Sequence, residues 1–143
     1  MNNMNPLIVE KKEFSALVPY RKQRGTFEYF LQKRDMSATR NPGLIGVFGG
    51  QIESGEGVED ALVREIREEL EYTPQMPQYF SRYETANGIV HVFIEEVGSN
   101  FESTTKIHEG EYGKFYTASQ TEDAKTSHVA GIAIQEINEW LHK

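Results

Sequence analysis

Gly49-Gly50-Gln51-Ile52-Glu53-Ser54-Gly55-Glu56, followed seven residues later by Arg64-Glu65-Ile66-Arg67-Glu68-Glu69, is the stretch on which the reading of this chain turns. Its two halves have different periods. From Gly57 to about Glu71 the apolar residues Leu62, Ile66 and Leu70 recur every four positions, with Val63 beside them. That spacing predicts a helix with one face packed on a sheet. Thr73-Pro74 should end it, because the residue before a proline avoids helical geometry. Upstream, residues 44–48 read as a short extended piece closed by the glycine pair. With Glu65 set to zero on the helix, Glu68 falls at about −60° and Glu69 at about +40°. Three carboxylates therefore share one face. Like charges at this spacing repel by roughly a few tenths of a kcal/mol per pair. Hard divalent cations relieve such repulsion, and Mg²⁺ commonly bridges carboxylates to substrate phosphates.

A charge-dense helix is often no more than a solvated face, and Arg64 and Arg67 could neutralise the glutamates unaided. Taken alone, Glu-x-x-Glu-Glu supports that plain reading. The glycine turn and Glu56 at fixed offsets weigh against it.

Around this segment the chain alternates strands and helices. Ser15-Ala16-Leu17-Val18 and Phe27-Glu28-Tyr29-Phe30-Leu31 flank Arg21-Lys22-Gln23-Arg24-Gly25, a hairpin pattern. Residues 79–83 and 89–97 read as strands around Ala86-Asn87-Gly88, and 114–116 as another. A last helix is expected from about 128 to 141, with Ser127 as N-cap and Ala130, Ile134, Ile137 and Leu141 as its stripe. Strands, helix, strands, helix predict an α+β fold with helices on the faces of a sheet.

Composition narrows the class. The chain has 143 residues, close to the usual size of one domain, so residues 1–143 are expected to form one. Fifteen Lys and Arg against 22 Asp and Glu give a net charge of −7, which disfavours non-specific nucleic-acid binding. The absence of cysteine excludes disulfides and thiolate zinc sites, and fits a reducing cytoplasm. No apolar run is long enough to span a bilayer. Residues 1–6, Met-Asn-Asn-Met-Asn-Pro, lack the features of a signal peptide.

The full pattern resembles the signature of the Nudix hydrolases, the MutT-like nucleotide pyrophosphohydrolases: G-x5-E-x7-R-E-U-x-E-E-x-G-U, with U a bulky apolar residue. Gly50, Glu56, Arg64, Glu65, Ile66, Glu68 and Glu69 all stand at the required spacing, within a box of about residues 50–72. Average composition would produce seven such matches in roughly one chain in 10⁵ to 10⁶. Glu71 stands where the family usually has glycine, and Tyr72 where it prefers an aliphatic residue. Phe48-Gly49-Gly50, the strand ending Leu31-Gln32-Lys33-Arg34, and Glu109-Gly110-Glu111-Tyr112-Gly113-Lys114-Phe115 resemble the family's flanking segments.

The resemblance implies an α/β/α sandwich, a mixed sheet flanked by helices. It implies water attack on phosphorus in a nucleoside diphosphate derivative, nucleoside triphosphates included, with two or more Mg²⁺ or Mn²⁺ ions. Glu65, Glu68 and Glu69 would be metal ligands, joined by the Gly49 carbonyl oxygen and by Glu109. Glu56 would order metal-bound waters or a basic partner, for which Arg34 is the candidate. Arg34 is also a candidate for contact with the nucleotide. Arg64 would orient Glu65. For the general base, Glu109 on a mobile loop is favoured narrowly over Glu65. His91 is expected to be a packed sheet-face residue. Phe14, Tyr29, Tyr79 and Tyr83 could each stack on a base, although core packing suits each of them better.

Two other function classes stay open: a Nudix-fold module that holds a nucleotide without cleaving it, and a structural domain with an acidic surface helix. The expected partner is a small-molecule nucleotide, with no membrane, and a homodimer is left open. At the helix exit, a left-handed Glu71 would cost about 1 kcal/mol over glycine. The helix is therefore expected to run through Glu71 or unwind towards Pro74, leaving Glu71 facing solvent.

Overall fold

A computed structural model describes residues 11–143. The N-terminal hexapeptide lies outside the described residues. The central strand is β1 (Glu13–Gln23), and it turns into β2 (Thr26–Lys33) through Arg24 and Gly25. Both turn residues have positive φ, 53° and 82°, the two-residue geometry that matches the twist of the flanking strands. The turn is tighter than the sequence pattern suggests, because Arg21, Lys22 and Gln23 stay in the ladder, opposite Glu28, Phe27 and Thr26.

The segment expected as one extended piece is divided into β3 (Ile45–Gly46), which pairs with β2, and β4 (Phe48–Gln51), which pairs with β1. β1 thus pairs antiparallel with β4 near its start and with β2 near its end. Its other side is covered in parallel by β6 (Gly88–Glu96), which carries β5 (Gln78–Thr85) at its far edge. β7 (Tyr112–Tyr116) pairs with β2. The result is one mixed seven-stranded sheet.

Helices cover both faces. α1 (Val58–Leu70) lays Leu62, Ile66 and Leu70 on a core with Leu17, Phe30, Phe48 and Phe93. The next residues of the same strands, Val18, Tyr29, Leu31, Val92 and Ile94, point to the opposite face. There they meet Ala133, Ile134 and Ile137 of α4 (His128–Leu141). Each fully buried aliphatic side chain contributes about 1.5–3 kcal/mol, so the two stripes hold the layers together. The α/β/α sandwich expected from the sequence is the observed architecture. Among the described residues, no helix is long and apolar enough to cross a membrane.

α4 starts and ends as its stripe suggests, and the Ser127 hydroxyl accepts from Ala130 N–H. Two short helices were not anticipated: α2 (Phe101–Thr104) and α3 (Ala118–Asp123). The latter begins with a reciprocal capping box between Thr117 and Gln120.

The exit of α1 departs from expectation. Glu71 is left-handed, with φ 52° and ψ 35°, and its N–H donates to Arg67 O. Tyr72 supplies the reason. Its ring packs edge-on to Phe101 at 5.0 Å and its hydroxyl donates to the buried Glu95 carboxylate. A sharp reversal at Glu71 is what delivers Tyr72 to that site. The ring packing, together with a hydrogen bond to a buried carboxylate worth about 1.5–3 kcal/mol, offsets the roughly 1 kcal/mol of backbone cost. Glu71 itself is exposed, as expected.

Candidate active site

The glycine pair meets Glu65 and Glu69 where β4 passes beneath α1. Gly49 lies opposite Ala16, with φ 155°, and a Cβ there would sit 2.1 Å from Ser15 O. Only glycine permits so close an approach of two strands. This approach lets Gly49 N–H donate to Glu69 Oε1 at 2.9 Å. Gly50 leaves room for another carboxylate, since a Cβ there would fall 2.3 Å from the Glu65 carboxyl carbon. The Ser15 hydroxyl, buried and not anticipated from sequence, ties β1 to the start of α1 by donating to Val58 O at 2.7 Å.

Arg64 organises the other half of the site. Its Nε and Nη2 donate to the two Glu56 oxygens at 2.8 and 2.9 Å, and its Nη1 donates to Glu65 Oε1 at 2.8 Å. These contacts, with a further bond from Nη2 to Gln51 O, fix the guanidinium. Glu56 also accepts from Glu53 N–H. Arg64 first, and then that amide, push the Glu56 carboxyl down to about 2. The basic partner of Glu56 is thus Arg64, not Arg34, because the box loop folds back over its own helix. Arg34 instead donates from Nε to Arg40 O.

Glu69 is in the opposite state. It is 7% exposed. Burial, followed by the charge of Glu65, pushes its carboxyl up to about 8, with Glu109 adding and Gly49 N–H and Arg34 opposing. A buried carboxylate beside two others gains from a cation, and every nearby donor is a hard oxygen. Glu68 is largely exposed, 3.7 Å from Arg64. Among the described residues, no three His, Asp or Glu side chains converge on one point as a ready-made cage. The donor set fits a hard divalent ion by its chemistry: clustered carboxylates, one of them buried, whose charged forms a cation would favour.

Glu109 is near enough to Glu69 for its charge to be felt, and its segment is joined to α1 and β2 by backbone hydrogen bonds. Lys106 N–H and His108 N–H donate to Leu70 O and Glu69 O, and Glu111 N–H donates to Lys33 O. Gln32 Oε1 lies close to Gly110 and is a buried acceptor without a partner among the described residues. His91 is a buried sheet-face residue, held by Tyr79 and Glu13. Tyr29 is core, with its hydroxyl on Asn138, while Tyr83 donates to Glu136.

A cleft of about 480 Å³ opens beside Gly49 and Gly50, bounded by residues 34–47, the turn at 84–87 and the start of α4. Phe14 lines it, with the Arg40 guanidinium 4.6 Å above the ring, and Arg34, Asn41, Asn87 and His128 add polar groups. Arg40 and the two asparagines escaped the sequence reading. Their loops carry only breaker signals, and distant parts of the chain bring them together.

Solved structures share this fold. The NUDIX domain of Shewanella oneidensis NrtR, complexed with ADP ribose, is 16% identical with a TM-score of 0.77, over 97% of this chain and 94% of that one. A C. elegans Ap4A hydrolase binary complex is 19% identical with a TM-score of 0.71, over 92% and 98%. A MutT NUDIX hydrolase from Burkholderia pseudomallei is 20% identical with a TM-score of 0.69, over 89% and 98%. No curated protein matches the chain. The sequence profile of the NUDIX domain matches residues 11–133, and the chain belongs to the Nudix hydrolase family.

Proposed function

We propose that this chain hydrolyses a diphosphate linkage in a nucleoside diphosphate derivative, nucleoside triphosphates included, using two or more Mg²⁺ or Mn²⁺ ions. The observation that carries the reading is Glu69, buried near Glu65 and Glu109 and bonded to Gly49, whose backbone lines a cleft with Arg34 and Arg40. Glu65, Glu68, Glu69, Glu109 and the Gly49 carbonyl would hold the ions. When bound, the ions would neutralise the carboxylates, clamp phosphate oxygens and acidify the attacking water. Arg64, fixed by Glu56, keeps the Glu65 carboxylate in one orientation. Glu109 is the favoured base, and Glu65 the alternative. Either would accept the proton that water loses as it attacks phosphorus. Arg34 and Arg40 supply positive charge to the diphosphate, which offsets a protein of net charge −7. Residues 1–143 as one Nudix domain and a cytoplasmic location belong to the same proposal.

A second reading, a nucleotide-binding module without turnover, draws on the ADP-ribose complex of the NrtR domain. Against it stands the complete set of box carboxylates. A panel of ADP-ribose, a dinucleoside tetraphosphate and nucleoside triphosphates, assayed with Mg²⁺ and with Mn²⁺, separates the two. Turnover that chelator abolishes supports the hydrolase. Tight binding without turnover supports the module.

A further inference from the structure

Glu109 is flanked by two anchored neighbours. On one side, Gly110 is pressed against β2, where a Cβ would lie 2.6 Å from Lys33 O. On the other, His108 is attached to the exit of α1 twice: its N–H donates to Glu69 O at 2.7 Å, and its imidazole Nε2 meets the Glu71 carboxylate. Residues 69, 70 and 71 all engage the same crossing segment, since Leu70 O accepts from Lys106 N–H. A helix end leaves its last carbonyls without intrahelical partners, so this docking satisfies groups that would otherwise need water. The side-chain contact adds what the backbone bonds cannot. Backbone bonds fix the height of the segment, whereas a side-chain pair fixes how it is rotated about them. The contact exists because Glu71 is left-handed and projects its carboxylate towards residue 108. Glycine at this position would form the same reversal more cheaply but would present nothing to His108.

We infer that the Glu71–His108 pair is a positioning element, which holds segment 106–110 against the end of α1 so that Glu109 stays beside Glu69. This rests on the reading that Glu109 acts at the cation site. Neither residue touches the reacting atoms. Both act through the placement of Glu109.

Mn²⁺ binding to the full chain without substrate, followed by electron paramagnetic resonance, tests this alongside thermal unfolding. Glu109→Gln should weaken Mn²⁺ binding. Glu71→Gly and His108→Ala should each weaken it about tenfold, the lower end of what partners behind metal ligands contribute. Neither pair variant should unfold earlier by more than a few degrees, and Glu71→Gly relieves backbone cost. The double variant should bind no worse than either single one. His108→Gln, whose amide can reach the same carboxylate, should recover most of the affinity. Wild-type Mn²⁺ binding in both pair variants, with binding lost in Glu109→Gln, would overturn the inference and leave the proposed function standing. Unchanged binding in Glu109→Gln would remove Glu109 from the site, and the positioning role with it, whatever the pair variants do.

Discussion

The two ends of α1 are secured by different means. At the N-terminal end the fastening is electrostatic and lies within one motif: Arg64 grips Glu56 with two hydrogen bonds and Glu65 with a third. At the C-terminal end it is tertiary. A left-handed Glu71 turns the chain so that Tyr72 reaches Phe101 and Glu95, and Glu71 itself reaches His108. The first end holds charges that would take part in chemistry. The second holds the backbone on which those charges stand. Damage to each should therefore look different.

The largest effect should come from the carboxylates themselves. Glu69→Gln, and separately Glu68→Gln, should lower kcat a hundredfold or more, about 3 kcal/mol of transition-state stabilisation. The fold should survive. In Glu69→Gln the side-chain amide oxygen still accepts from Gly49 N–H, and a neutral amide replaces a carboxyl whose charged form burial disfavours. Steady-state kinetics beside thermal unfolding would check this. Near wild-type turnover in either variant would take that residue out of the ligand set.

Next comes the N-terminal fastening. Arg64→Ala should lower kcat by about ten- to hundredfold, as expected for a group that orients a ligand. The Glu56–Arg64 pair also carries a pH signature. The Glu56 carboxyl lies at about 2 in the folded protein against an ordinary 4.5. Its contribution to stability is therefore fully present above pH 4.5 and is lost as pH falls towards 2. The difference in urea midpoint between wild type and Glu56→Gln should shrink over that window. A difference that stays constant from about pH 7 to about pH 2.5 would mean the pair contributes nothing to folding.

How much of this contrast can be read from sequence follows from how each end is built. The N-terminal fastening is legible because Glu56, Arg64 and Glu65 belong to one short motif. Even there Glu56 pairs with Arg64 and not with the expected Arg34, since offsets in sequence do not say which arginine folds back. α4 is legible because Ser127 and an apolar stripe are local signals. The α3 capping box, Thr117 with Gln120, is equally local but escapes notice, because the helix is a single short run. The left-handed Glu71 is not legible at all. Its local cost argues against it, and the contacts that offset it, those of Tyr72 with Glu95 and Phe101, come from more than twenty residues away. The same holds for the cleft, whose Arg40, Asn41 and Asn87 come together only in the fold.

At the C-terminal end, Tyr72→Phe should keep the ring packing and remove the hydroxyl that donates to Glu95. Glu95 is 4% exposed and would keep, among the described residues, only Met76 N–H as donor. Leaving a buried carboxylate short of a donor costs about 1–3 kcal/mol, so the unfolding midpoint should fall while kcat stays within a factor of about two. If kcat falls with stability unchanged, the division between a chemical end and a structural end is wrong.

The smallest effect sharpens the comparison at its weakest point. The residue that caps the start of α1 is Gly57, with φ −75° and ψ 161° and no side-chain cap. That extended conformation suits serine as well as glycine, and a Cβ would meet Asp60 Oδ2 at 3.5 Å, an ordinary contact. Gly57→Ser places a hydroxyl where it can accept from the free amides of the first turn. Replacing a glycine cap by serine typically gains about a few tenths of a kcal/mol. Turnover should not change, because Arg64 and Glu56 already fix the start of the helix relative to β4. A denaturation midpoint that rises slightly with kinetics intact would show that capping and the Arg64 fastening are independent. A loss of turnover in Gly57→Ser would mean that the first turn must shift during the reaction. The N-terminal end would then be a moving part, held by charge so that it can adjust.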